Sequence, residues 1–109
     1  MADVKDIHFL GVAEQRTGIT RAYTVKTTAV GTPSSPSGEI FAHSDFTTDL
    51  AATLLTGNAS VSGTTVTTEQ ITGLTEGTWY RYLLTYTVNS NTEEEYFEVY
   101  CTDRSTARG

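Results

Sequence analysis

Two histidines, His8 and His43, are the only imidazoles in the chain, and His43 opens the cluster His43-Ser44-Asp45. Nucleophilic catalysis needs a nucleophile, a base and an orienting group in mutual reach. Three consecutive residues read more simply as a loop start in which Ser44 or Asp45 caps a turn. Cys101 is the single cysteine, so no intrachain disulfide can form. It lies on the inward phase of the last apolar strand, which predicts a buried, inert thiol. Glu93, Glu94 and Glu95 are the densest carboxylate run. Like charges beside a turn predict solvated acids, and the run lacks the alternating Asp/Asn ligands of a calcium loop. No HExxH, CxxC or phosphate-binding loop occurs. The expectation is a protein that is not an enzyme and has no cofactor and no metal.

Three aromatics remain. Trp79, Tyr96 and Tyr100 lie on the strand phase opposite Tyr80 and Phe97. Either they form a partner-binding surface, or a loop or the N-terminal segment covers them. They are the candidate partner interface.

The elements that position these residues are strands. The chain has 109 residues, enough for one domain, and is 38% hydrophobic. Threonine, about a fifth of the chain, fits a pleated surface while its hydroxyl stays wet. The net charge of −6 comes with seven scattered basic residues, so no basic stripe favours direct nucleic-acid or membrane-surface binding. No stretch approaches the roughly 18 apolar residues of a membrane span. The start, MADVKDIHFLGVAEQ, has no basic region followed by an apolar one; the expectation is a chain made and used in the cytoplasm.

Residues 7–12 (IHFLGV) predict a first strand, with a turn at Thr17-Gly18, so that 1–19 supply a first strand or a docking arm. Alternation over 20–30 predicts a half-buried strand. GTPSSPSG (31–38) predicts an exposed loop, and EIFA (39–42) a short strand. Leu50, Leu54 and Leu55 recur at helical spacing, but Thr47, Thr48 and Thr53 disfavour a long helix, and a strand is expected over 50–56. Residues 58–68 predict a hairpin turning at Ser62-Gly63. In 80–88, Tyr80, Tyr82, Leu84, Tyr86 and Val88 form one face. A turn at 89–92 leads to 93–101, where Phe97, Val99 and Cys101 face inward. The body spans 20–103, with a polar tail at 104–109. About seven short strands predict an all-β sandwich.

Within ITGLTEGTWYRYLLTYTV, Leu74, Gly77 and Tyr80 have a physical reading as a chain crossing between sheets. Leu74 plugs the end of the core, Gly77 takes a backbone conformation closed to a Cβ, and Tyr80 returns its hydroxyl to backbone just upstream. This is the tyrosine corner of immunoglobulin-like sandwiches. The stretch resembles the corresponding corner of fibronectin type III domains, a resemblance that adds Ile71 to Leu74, Gly77 and Tyr80 as corner residues, with Glu76 where that family prefers Pro. The first half departs from the family, having no early tryptophan.

A second resemblance spans residues 20–102: Tyr23-Thr24-Val25, a Thr/Ser-rich middle, Gly-Leu-Thr-x-Gly-x-x-Tyr and a closing EEEYFEVYC. This layout is similar to small structural proteins of tailed bacteriophages that carry an immunoglobulin-like, fibronectin type III-like domain. The resemblance implies a virion protein assembled in the host cytoplasm, acting in capsid decoration or cement, or as a head–tail accessory. Its partners would be major capsid or head–tail proteins, met in several symmetric copies. The alternative is an extracellular fibronectin type III-like module that binds protein or glycan.

Overall fold

Alternation is strongest in residues 79–102, and these residues build the centre of the fold. A computed structural model describes residues 7–27 and 31–102, with side chains from Gly11 onward. β8 (Trp79–Val88) and β9 (Asn91–Thr102) pair antiparallel from Trp79↔Tyr100 to Val88↔Asn91. Asn89 and Ser90 connect them with φ of 53° and 70°, the mirror-image turn whose twist matches the flanking strands. The turn is therefore tighter than the expected 89–92, because Asn91 and Thr92 already belong to β9.

β1 (Ile7–Arg16) lies parallel to β9, and β3 (Ser34–Ala42) antiparallel to β8, giving a four-stranded sheet in the order β1-β9-β8-β3. The opposing layer holds β2 (Thr24–Lys26), β6 (Thr65–Thr67) and β5 (Ser60–Ser62) in the order β2-β6-β5. Beside them, β4 (Leu55–Thr56) pairs with β7 (Gln70–Ile71). An Arg21↔Ile71 bridge and bonds between Tyr23 and Thr68 carry the β2–β6 ladder onward to β7.

The core fills the space between the layers. Tyr80, Tyr82, Leu84, Tyr86, Val88, Phe97, Val99, Cys101 and Ile40 come from the larger sheet; Val25, Val66 and Ile71 come from the smaller layer. Burying each large side chain contributes about 1.5–3 kcal/mol before entropy is counted. Phe97 stacks on Tyr82 at 5.0 Å within its own sheet and meets Tyr23 of the opposite layer at 5.3 Å. Gln15, on β1, is a buried polar clamp. Its Nε2 donates to the carbonyls of Ile19 (2.9 Å) and Ile71 (2.7 Å), and its Oε1 accepts from the Tyr23 hydroxyl (2.8 Å). Both donors and the acceptor are used, so its desolvation is compensated.

Several expectations are corrected. The first strand runs on to Arg16 rather than ending at residue 12, with a register shift between Phe9 and Val12 where Gly11 takes φ 131°. Regular pairing in 20–30 is confined, among the described residues, to Thr24–Lys26 and the Arg21 bridge. Residues 31–38 are not an exposed loop throughout. Pro33 is buried and Ser34–Gly38 opens β3, with a bulge between Ser34 and Ser37 absorbing Ser35 at φ 51°. The strand expected over 50–56 is a helical turn, α1 (Ala51–Leu54), followed by β4. The Asp49 carboxylate accepts from the Ala51 N–H at 3.0 Å and buried Leu54 anchors the turn. The 62–63 turn falls one residue later, at Gly63-Thr64. Glu95 is not solvated. It shares the inward phase of Phe97 and accepts the Tyr86 hydroxyl at 2.6 Å. The tail residues 104–109 lie outside the described residues.

Candidate binding surface

The corner residues sit where the layers join. Ile71 and Leu74 are buried, and Gly77 takes φ 79°. Tyr80 lays its ring on the core while its hydroxyl accepts from the Thr75 N–H at 2.9 Å. The corner is also tied to β9: the Gly77 N–H donates to the Cys101 carbonyl (2.8 Å), and the Cys101 N–H to the Thr78 carbonyl (3.1 Å). This fixes the next residue, Trp79, on the outer face at the start of β8.

The outer face carries the candidate interface. Strand alternation sends Trp79, Arg81 and Leu83 of β8 and Tyr96, Glu98 and Tyr100 of β9 away from the core. Trp79 lies directly opposite Tyr100, their ring centroids 4.9 Å apart, and Trp79 remains 40% exposed. Tyr96 and Tyr100 are half-buried. Arg81 joins the two ends. Its guanidinium lies 4.3 Å from the Tyr96 ring centroid and 4.5 Å from that of Phe46, and it pairs with Glu98 at 3.0 Å. A charge held between two rings and a carboxylate is a pre-ordered group, costing little further entropy on docking.

The sequence missed the part of this surface contributed by β3 and the loop after it. Phe41 faces outward opposite Arg81, and Phe46 from the 43–49 loop folds over the same site. Phe41, Phe46, Arg81, Leu83 and Tyr96 line a groove of about 460 Å³. His43 packs against Phe46 and Trp79 and places Nε2 3.1 Å from Glu98 Oε2. The missed signal was the odd phase of EIFA, which sends Phe41 to the side opposite buried Ile40.

The His43-Ser44-Asp45 stretch resolves into separate roles. Asp45 accepts from the Thr47 N–H and hydroxyl (2.9 and 2.6 Å) and from the Thr48 hydroxyl (2.7 Å). These bonds, those from the Thr47 and Thr48 hydroxyls foremost, pull its carboxyl down to about 2. Asp45 thus fastens the loop that presents Phe46, while His43 turns to Glu98. The His8 side chain lies outside the described residues. Among the described residues no three His, Cys, Asp or Glu side chains converge as metal ligands, and no helix is long and apolar enough to cross a membrane. Cys101 is buried, with its sulfur 3.6 Å from the Thr17 hydroxyl.

Two packed antiparallel layers, a parallel first strand and a tyrosine-closed corner define an immunoglobulin-like β-sandwich. A solved structure described as a chimeric titin Z1Z2 functionalized with a KLER exogenous peptide from decorin superposes with a TM-score of 0.54, at 17% identity, over 86% of this chain and 88% of that one. At that identity the likeness shows the fold alone. No protein-family model matches the chain, and no curated protein sequence matches it.

Proposed function

We propose that this protein is a non-catalytic structural module of a tailed-phage particle, docking onto capsid or head–tail subunits through the outer face of its four-stranded sheet. The observation that carries the docking role is the Trp79–Tyr100 pair, joined through His43, Phe46 and Arg81 to Tyr96 on one rigid sheet. Large aromatics on regular strands lose little entropy on binding and make effective anchors. The virion assignment rests on the sequence layout of residues 20–102. The role is decoration, cementing or accessory packing at the head–tail junction, in the host cytoplasm during assembly and then in the particle.

The test is quantitative mass spectrometry of gradient-purified particles from cells expressing the gene. The proposal expects the protein to co-band with capsid or portal protein at a fixed ratio. Its absence from particles, with recovery outside the cell bound to protein or glycan, would establish the extracellular fibronectin-type reading instead.

A further inference from the structure

The groove on the outer face spans neighbouring rungs of the larger sheet. One rung runs Phe41, Arg81, Glu98 and the next Glu39, Leu83, Tyr96, across β3, β8 and β9. The rungs differ in charge. On the first, Arg81 Nε and Nη2 both donate to Glu98 Oε2, at 3.3 and 3.0 Å, so cation and carboxylate cancel. On the second, Glu39 is exposed beside Leu83 and has no ion-pair partner among the described residues. Arg81 is not free to serve it, being held by Glu98 and by the rings of Phe46 and Tyr96. Asp49 brings a further carboxylate to the same stretch of β3, accepting the Ile40 N–H at 3.1 Å.

A partner seated on this face would strip water from Glu39. A carboxylate without a counter-charge is costly once desolvated, so the occupant has to bring a cation. The groove also offers the stem carrying that cation an apolar wall of Phe41, Leu83 and Tyr96. Lysine and arginine have this build: an aliphatic stem that packs on apolar surface and a charged head that reaches past it. An acidic side chain would instead meet Glu39 and Asp49 with like charge, on a chain whose net charge is already −6.

We infer that the groove takes a lysine or arginine side chain from an exposed segment of the docking partner, with its stem along Leu83 and its head at Glu39. The inference rests on the docking reading of the outer face and adds the chemistry of what docks there.

The experiment is an NMR titration of the full chain with capped tripeptides, acetyl-Leu-X-Leu-amide, in which X is lysine, arginine, norleucine or glutamate. Thermal melts verify the fold of each variant. The lysine and arginine peptides should bind with a dissociation constant of about a millimolar, shifting the Leu83 methyl and Glu39 signals. Norleucine has the stem without the charge and should bind about threefold to fivefold more weakly, with glutamate weaker still. Glu39→Gln should erase the advantage of lysine over norleucine, and Glu39→Lys should reverse the order of lysine and glutamate. No binding by wild type, norleucine binding as tightly as lysine, shifts that bypass Leu83 and Glu39, or a folded Glu39→Lys that still prefers lysine would each overturn the inference. Any of these beside a lowered particle copy number for Trp79→Ala would leave the docking role standing. Lysine-selective binding by a chain that never enters particles would uphold the groove chemistry and remove the virion role.

Discussion

The Tyr80 hydroxyl accepts a hydrogen bond from the backbone N–H of Thr75, five residues upstream, at 2.9 Å. That bond spans the turn in which Gly77 takes φ 79°. Tyr80→Phe keeps the buried ring and loses the bond, so it should cost about 1 kcal/mol. A Cβ at Gly77 would meet no atom within 4 Å, so Gly77→Ala should cost only its backbone strain, about 1–2 kcal/mol. Urea melts of both variants check this; two curves superposing on wild type would rule out a stabilising corner.

Gly38 is required for a different reason. A Cβ there would lie 2.1 Å from the Tyr82 hydroxyl oxygen and 2.3 Å from its Cζ. Tyr82 is fully buried and held by Glu69 at 2.5 Å, so it cannot swing aside. Gly38→Ala should therefore destabilise by about 1–3 kcal/mol through overpacking, with no help from backbone geometry. Chemical denaturation showing no loss would mean the ring has room to move.

The same tyrosine predicts an alkaline limit. Burial, reinforced by the hydrogen bond to Glu69 and its negative charge, raises the Tyr82 phenol far above its ordinary value of 10.0. Burial also raises Tyr23. A raised folded-state value favours the neutral phenol in the fold. Its contribution is complete below pH 10 and declines as pH climbs above that. Melting temperature should fall with pH above about 10, and Tyr82→Phe should reduce the slope in part, leaving the share of Tyr23. An unchanged slope would contradict the assignment.

Asp45 predicts the opposite sign at low pH. Its carboxyl lies near 2, against an ordinary 3.8. Whatever it contributes to the 43–49 loop is complete above pH 3.8, and is lost as pH falls towards 2. NMR titration should show the Asp45 carboxyl and the Phe46 ring shifting together near pH 2. A Phe46 transition near 4 instead would detach the ring from Asp45.

The sequence made some of this readable because strand period and side-chain face are directly coupled. The alternation of 80–88 and 93–101 places Tyr82, Phe97 and Val99 inside and Trp79, Tyr96 and Tyr100 outside by parity alone. The Leu74, Gly77 and Tyr80 spacing encodes a local turn, so the geometry needs no distant partner. Other features depend on contacts far away in the chain. Ser34–Gly38 look like loop residues, yet pairing with β8 recruits them. Glu95 reads as one of three surface acids until Tyr86 supplies a buried donor. Phe46 sits in a polar stretch, and contacts with His43, Phe41 and Arg81, the last thirty-five positions on, hold it on the outer face.

The most direct test of the docking account is a copy count of this protein on purified particles carrying Trp79→Ala or Tyr100→Ala, paired with melts of each variant chain. Both side chains lie outside the core, so melting temperatures should stay near wild type. Loss of one anchor should cost about 1–3 kcal/mol of binding and lower the copy number accordingly. Full copy number together with a lowered melting temperature would show that these aromatics stabilise the sandwich itself, and would contradict the docking account.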